Sequence, residues 1–282
     1  MTIRFHLGGR LGNQLFQWAF AHVVSDRYGN EVLPVYDCFH NPNSSMSSDF
    51  LNDICEHWQE PKQKNLLGFI LKILDKIGSK VPTYQLICFI FSINRTLTSY
   101  TLPTLPKKAP NVFTGFFINA DVVRDNEDTI FDELWNKIRR IELTLELPDL
   151  YQAVHVRRGD FADYADSYGL ISPEFYERNI DRNLPIVLCT DSIEDSMDVI
   201  ASIDPEIVLG PSESNAWQVL RIMAQAEHVV LSNSTLSWWG GFLAAKKGGR
   251  VIQPQPFYKE VSDYSNQLDF KLFQPQPAVF LE

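Results

Sequence analysis

Long apolar runs are missing from this chain. The best candidate, residues 84–93, is about half of the ~20 apolar residues that a membrane-crossing helix needs. Cysteine is scarce and scattered. Cys38, Cys55, Cys88 and Cys189 form no CxxC pair and no His/Cys cluster of the kind that holds zinc. Four cysteines permit two disulfides, but nothing else points to secretion, and Cys88 and Cys189 lie in apolar runs where they pack as small hydrophobes. Positive charge is also in short supply, with 25 Lys and Arg against 35 Asp and Glu. The resulting −10 argues against nucleic acid as the main partner, because a phosphate backbone would be repelled. Met1-Thr2-Ile3-Arg4-Phe5-His6 leads straight into a strand and leaves no room for a signal peptide, so the expected compartment is the cytoplasm.

The rest of the composition is that of a globular chain, 45% hydrophobic and 21% charged. A length of 282 residues suits one large or two modest domains. The first unit reads strand (3–7), a turn with Gly8, Gly9 and Gly12, a helix burying Leu15, Phe16, Ala19, Phe20, Val23 and Val24, a stop at Gly29, and strand 32–36. Residues 37–60 are polar and turn-rich. Strand 112–118 contains Gly115, and 132–140 is helical in pattern. From Tyr151 onward the alternation becomes regular. Strands 151–156, 186–189, 207–209, 228–231 and 250–253 are separated by helices starting at Ser172-Pro173, then 194–200, 215–226 and 236–245. Such alternation specifies a doubly wound parallel sheet, with 250–253 closing the series.

In such sheets ligands bind outside the carboxyl ends of the strands. The polar clusters fall there: Arg157 to Asp160, Thr190-Asp191, and Ser232 to Ser237. His155-Val156-Arg157-Arg158-Gly159-Asp160 is the most informative of them. A guanidinium fork matches two phosphate oxygens, so paired arginines at a strand end suggest a diphosphate; a surface ion-pair cluster is the plainer alternative. Ser232-Asn233-Ser234-Thr235 opens a helix, where free N–H groups make an anion site, or where a serine merely caps the helix. Trp238-Trp239-Gly240-Gly241 reads as core, the glycines permitting close helix–sheet approach. Gly8-Gly9-Arg10-Leu11-Gly12-Asn13-Gln14 fits neither GxGxxG nor GxxxxGK[ST], so a nicotinamide enzyme is poorly supported. No Asp-x-Asp triplet occurs, so charge on a departing phosphate falls to arginine and helix dipole rather than to metal-holding carboxylates.

Together, 9–14, 155–160 and 232–239 resemble the bacterial α-1,2-fucosyltransferases of glycosyltransferase family 11. Phe257-Tyr258-Lys259 resembles that family's last short motif, and residues 37–110 match least. The resemblance covers nearly the whole chain. It implies an α/β GT-B fold, two Rossmann-like domains with parallel sheets facing across a cleft. The expected division is an acceptor-side domain 1–145 and a donor domain 146–282, whose C-terminal tail can return to the first. It also implies an inverting reaction needing no metal and no cofactor, with GDP-β-L-fucose as donor. The acceptor it implies is the 2-hydroxyl of a terminal galactose in an oligosaccharide or lipid-linked glycan such as an O-antigen or capsule precursor. Arg157 matches the diphosphate-binding arginine, and His155, Arg158 and Asp160 fill the other motif positions. Ser234, Thr235 and Ser237 match the donor cradle, and Asn13 matches an asparagine that reaches the reaction centre.

Other roles stay open at this level. The general base is Asp160 by motif position, with Asp163 or His155 as alternatives. Adjacent strand residues face opposite ways, so Arg157 and Arg158 cannot both face a donor; Arg158 is expected to brace Asp160 or a neighbouring loop. Asp191 binds donor or caps a turn. A transferase for another nucleotide sugar, and a non-catalytic glycan- or nucleotide-binding module, are the competing readings. Residues 61–110 carry eight Lys and Arg against Asp75 alone, +7 against −17 elsewhere. Within them, 62–80 reads as a core helix with solvated lysines or as a peripheral contact with the inner membrane surface.

Overall fold

Alternation and glycine punctuation build the first unit. The computed structural model describes residues 3–7, 9–29, 32–36, 93–95, 102, 105–260 and 267–281. The 37–60 loop, the 62–80 segment, and Cys38, Cys55 and Cys88 lie outside the described residues. Two compact units emerge, Met1–Ile130 and Phe131–Glu282, against 145/146 in the sequence reading.

In the first unit, β1 (Ile3–Leu7) leads through the Gly9 turn to α1 (Leu11–Tyr28) and β2 (Val32–Tyr36). Then come β3 (Ile93–Arg95), β4 (Val112–Thr114), the short α2 (Asp121–Arg124) and α3 (Glu127–Ile138), which runs across the division. The strands form one parallel sheet in the order β2-β1-β4-β3. Helix α1 buries Leu15, Phe16, Ala19, Phe20 and Val24, and Gly29 ends it in a left-handed conformation at φ 61°. Phe5 stacks on Phe113 at 5.3 Å, and Phe20 on Phe117 at 4.2 Å. Strand β4 stops at Thr114, short of the expected Ile118. The Gly115 carbonyl accepts from Gln17 Nε2 at 2.8 Å, and Phe117 turns at φ 52° to bury its ring.

The second unit contains β5 (Gln152–Val156), α4 (Pro173–Asn179), β6 (Ile186–Thr190), α5 (Met197–Ile203) and β7 (Ile207–Leu209). It continues with α6 (Ala216–Gln225), β8 (His228–Val230), α7 (Thr235–Lys246) and β9 (Arg250–Gln255). A tenth strand, β10 (Gln274–Pro277), adds to β9, so 250–253 does not close the series. Pro275 and Pro277 hide β10 from a strand search, yet an edge position tolerates them because one side makes no ladder bonds. The order is β10-β9-β8-β5-β6-β7, all parallel. This is the doubly wound arrangement whose direction of winding reverses between β5 and β8.

Helices cover both faces of this sheet. Phe175 and Tyr176 of α4 and Val199 and Ile203 of α5 pack on Val154, Val156, Leu188 and Ile252. On the opposite face α7 lies so close that a Cβ on Gly241 would sit 3.0 Å from Val251. Helix α7 is apolar all round, with Trp238, Trp239, Phe242 and Leu243 fully buried, as befits a helix enclosed in core. The described C-terminal tail bonds to the segment before α4 within this unit. Ser172 N–H donates to Val279 O, Leu281 N–H donates to Leu170 O, and Phe280 bridges Ile171.

Candidate active site

The reversal between β5 and β8 leaves a crevice at the carboxyl ends of two adjacent strands, and the signature residues occupy it. Val154 and Val156 face α4 and α5, so alternation sends His155 to the other face. There its Nδ1 meets Ser232 Oγ at 2.9 Å. His155 is buried, and that burial, reinforced by the Arg157 charge, lowers its pKa to about 3. The imidazole is therefore neutral, a strut between strand ends rather than a charge. Ser232 is itself tied down, its N–H donating to Ser237 Oγ at 3.0 Å.

One residue further, Arg157 stands between two carboxylates. It pairs with Asp160, at the start of the 3-10 turn Gly159–Tyr164, and its Nη1 reaches Asp191 Oδ2 at 3.0 Å. Its guanidinium carbon lies 5.2 Å from the centre of the Phe161 ring. The side chain is only 11% exposed, so this is not a solvated surface ion pair. Arg158 takes the Val154–Val156 side. Its guanidinium is buried and pairs with Asp198 on α5 at 3.2 Å, while its backbone N–H donates to Asp191 Oδ1 at 2.8 Å. The expected brace is thus corrected: Arg157 holds Asp160, and Arg158 anchors α5.

Three further loops converge on this point. Asn233, buried after β8, donates from Nδ2 to the carbonyls of Tyr168 (2.8 Å) and Gly169 (2.9 Å). Lys259 N–H also donates to Tyr168 O, at 3.0 Å, and Glu260 N–H to Ser167 O. The rings of Phe161 and Tyr168 lie 5.0 Å apart, and those of Tyr168 and Tyr258 5.1 Å apart. Phe257-Tyr258-Lys259 therefore belongs to the same crevice. Ser234 is buried and begins α7 without a side-chain cap, so plain serine capping does not account for it. Thr235 is the first residue of α7, and Ser237 is fully buried against the Ser232 amide.

Within the first unit, the turn after β1 holds Asn13 and Gln14 on the first turn of α1. Asn13 N–H donates to Arg10 O at 3.0 Å, and Gln14 Nε2 to Gly9 O at 3.2 Å. Gly9 adopts φ +77°, and a Cβ there would lie 2.7 Å from Asn13 Nδ2. His155, Arg157, Arg158, Asp160, Asp191, Ser234, Thr235 and Ser237 thus gather at one end of the second sheet, while Asn13 stands in the first unit. Asp163 is exposed in the 3-10 turn. Sequence reasoning missed Asn233 as a tether, Gly159 as the space beside Asp191, and Asp198 as the partner of Arg158. Asn233 lay inside a noticed motif; Asp198, 40 residues from its partner, gave no local signal.

Residues 93–268, more than half of the chain, match the family model described as Glycosyl transferase family 11. The chain belongs to that family. Two curated relatives agree with the assignment. An alpha-1,2-colitosyltransferase of Escherichia coli is 25% identical over 90% of this chain and 91% of its own. The O-antigen biosynthesis glycosyltransferase WbnK of Escherichia coli is 20% identical over 89% and 93%. Among solved structures, a glycosyl transferase family 9 protein from Veillonella parvula superposes with a TM-score of 0.51 at 9% identity. That match covers 98% of this chain and 86% of the other, and it speaks to the fold alone. This family 11 protein is a glycosyltransferase of GT-B type. No helix among its described residues is long and apolar enough to cross a membrane.

Proposed function

We propose that this family 11 enzyme moves L-fucose from GDP-β-L-fucose to the 2-hydroxyl of a terminal galactose, with inversion and without metal. The observation that carries this reading is Arg157, desolvated between Asp160 and Asp191 at the switch point of the donor-type sheet. A guanidinium fixed in this way suits the β-phosphate oxygens of a leaving nucleotide. As the glycosidic bond breaks, charge grows on that phosphate, and a pre-organised donor stabilises it more in the transition state than in the ground state. The uncapped start of α7 near Ser234, Thr235 and Ser237 adds partial positive charge. Inversion needs the acceptor hydroxyl aligned opposite the departing GDP, and in this reading Asn13 of the first unit serves the acceptor. Asp160 and Asp163 are the carboxylate candidates for general base. A neutral, buried His155 with a pKa near 3 is poorly matched to that task at neutral pH. The metal-independent reading is supported by a sequence without Asp-x-Asp.

The names of the relatives favour an O-antigen or related surface glycan as acceptor, and one of them favours a second donor, a colitosyl nucleotide. GDP release is measured with GDP-fucose and with a colitosyl nucleotide, with and without lactose, with and without EDTA, and the product linkage is read by NMR. Acceptor-dependent, EDTA-insensitive release with an α-1,2 product supports the first reading. Turnover only with the colitosyl donor supports the second. Tight GDP binding without any turnover returns the non-catalytic module.

A further inference from the structure

Asp191 was expected either to touch donor or to cap a turn; its surroundings favour neither. Its Oδ2 receives Arg157 Nη1 at 3.0 Å, and its Oδ1 receives the Arg158 backbone N–H at 2.8 Å. One carboxylate just past the end of β6 thus holds a side chain and the main chain of two consecutive residues just past the end of β5. The space for it is made by Gly159. A Cβ on that residue would overlap Asp191 Oδ2 and stand 3.0 Å from its Cγ. Gly159 is not in the left-handed region, so an alanine is compatible with its backbone; the lost space beside Asp191 is what a side chain there costs. Meanwhile Arg158 turns away to Asp198 on α5, which pins the peptide whose N–H faces Asp191.

We infer that Asp191 is a positioning residue that aims the Arg157 fork, and that Gly159 serves the reaction by leaving Asp191 its place. Asp191 contacts the Arg157 side chain and the Arg158 backbone, and its influence on the leaving diphosphate passes through Arg157. The inference rests on the proposed reading of Arg157 as the diphosphate ligand. It goes beyond that reading by giving function to a carboxylate that follows a different strand and to a glycine that has no side chain to offer. Of the two carboxylates that meet Arg157, Asp191 also accepts from the main chain of the next residue, so it sets the arginine relative to the strand end.

The test is a double-mutant cycle of Asp191→Asn with Arg157→Ala, read in two ways. Without ligand, urea unfolding measures whether the two changes are coupled. With donor and acceptor, kcat and KM for the donor are measured in all four proteins. Asp191→Asn is expected to lower kcat/KM by about 10- to 100-fold, the size of a lost charge-assisted hydrogen bond, with kcat falling more than KM rises. In the Arg157→Ala background the same change should cost less than about 2-fold, because its route to the diphosphate is already gone. Gly159→Ala, which keeps every charge, should reproduce the Asp191→Asn defect with a folded protein by circular dichroism. Equal losses in both backgrounds would overturn the inference, as would wild-type kinetics in Gly159→Ala. Failure of the functional reading shows elsewhere, as wild-type protein that turns over no nucleotide sugar.

Discussion

His155 offers the most quantitative check on the strand-end crevice. Its pKa falls from 6.5 to about 3, first through burial and second through the nearby Arg157 charge. In the unfolded chain the same imidazole titrates at its ordinary value. Between those two values the unfolded state carries a proton that the folded state refuses, so stability is complete above about pH 6.5 and drains as pH falls toward 3. The slope approaches about 1.4 kcal/mol per pH unit. From pH 8 to pH 5 this single residue should therefore remove about 2 kcal/mol of stability. The replacement to make is His155→Asn, which keeps a polar atom near the Nδ1 position facing Ser232 Oγ.

Urea unfolding of both proteins at pH 8 and pH 5 gives the number. Carboxylates and the partly buried His228, whose pKa is also lowered by burial, contribute equally to both and cancel in the difference. The wild type should lose about 2 kcal/mol more than His155→Asn over this interval. A difference near zero would mean that His155 charges freely in the folded protein. The packed contact between the ends of β5 and β8 would then be wrong. The same neutrality implies that an acid limb of kcat/KM between pH 5 and 7 belongs to another group.

Other outcomes follow from the same contacts. Arg157→Ala should lose about 100-fold or more in turnover, the cost of one pre-organised donor, and Arg157→Lys should recover little because an ammonium cannot bridge two carboxylates as a planar fork does; steady-state kinetics decide. Asn233→Ala strips the Tyr168 and Gly169 carbonyls of one donor and should cost about 2 kcal/mol in urea unfolding, with a rise in donor KM as the loop loosens. Gly240→Ala pits a helix-propensity gain of about 1 kcal/mol against overpacking of about 1–3 kcal/mol. A Cβ there lies 2.9 Å from Met223 Cβ, an atom that cannot swing aside, so net destabilisation is expected and a more stable protein would refute the packing.

Much of the second unit was legible because its signals are local. The buried strands 152–156 and 186–190 are continuous apolar runs, Pro173 fixes a helix start, and Asn215 with Gln218 forms a capping box that opens α6. Features set by tertiary contact were not legible. β10 is a strand only because β9 offers an open edge to a segment with two prolines. β4 is cut short by a glutamine from α1, a partner 98 residues away in sequence. At the site, alternation correctly separated Arg157 from Arg158, yet it could not say that the acid on the Arg158 side would be Asp198. That choice depends on how α5 lies across the sheet, and the sequence around Asp198 carries only the sign of a helix's first turn.

The spacing of the signature stretches has a topological cause. His155 and Ser232 are 77 residues apart, and between them lie two complete strand–helix excursions, β6 and β7 with their helices, all wound to one side of β5. β8 returns to the other flank of β5, so its exit loop meets the exit of β5 there, while the exit of β6 brings Asp191 to Arg157 on the near flank. β9 then extends the same side, and its exit supplies Tyr258 and Lys259 to the Tyr168 loop. Residues that must act together on one ligand are forced to the exits of neighbouring strands by parallel, single-handed winding. A glycosyltransferase of this architecture can lengthen the excursion between β5 and β8 without disturbing the site, but exchanging the order of β8 and β9 would separate His155 from Ser232. For that reason the order and approximate distance of the motifs carry more information about the site than any one motif does alone.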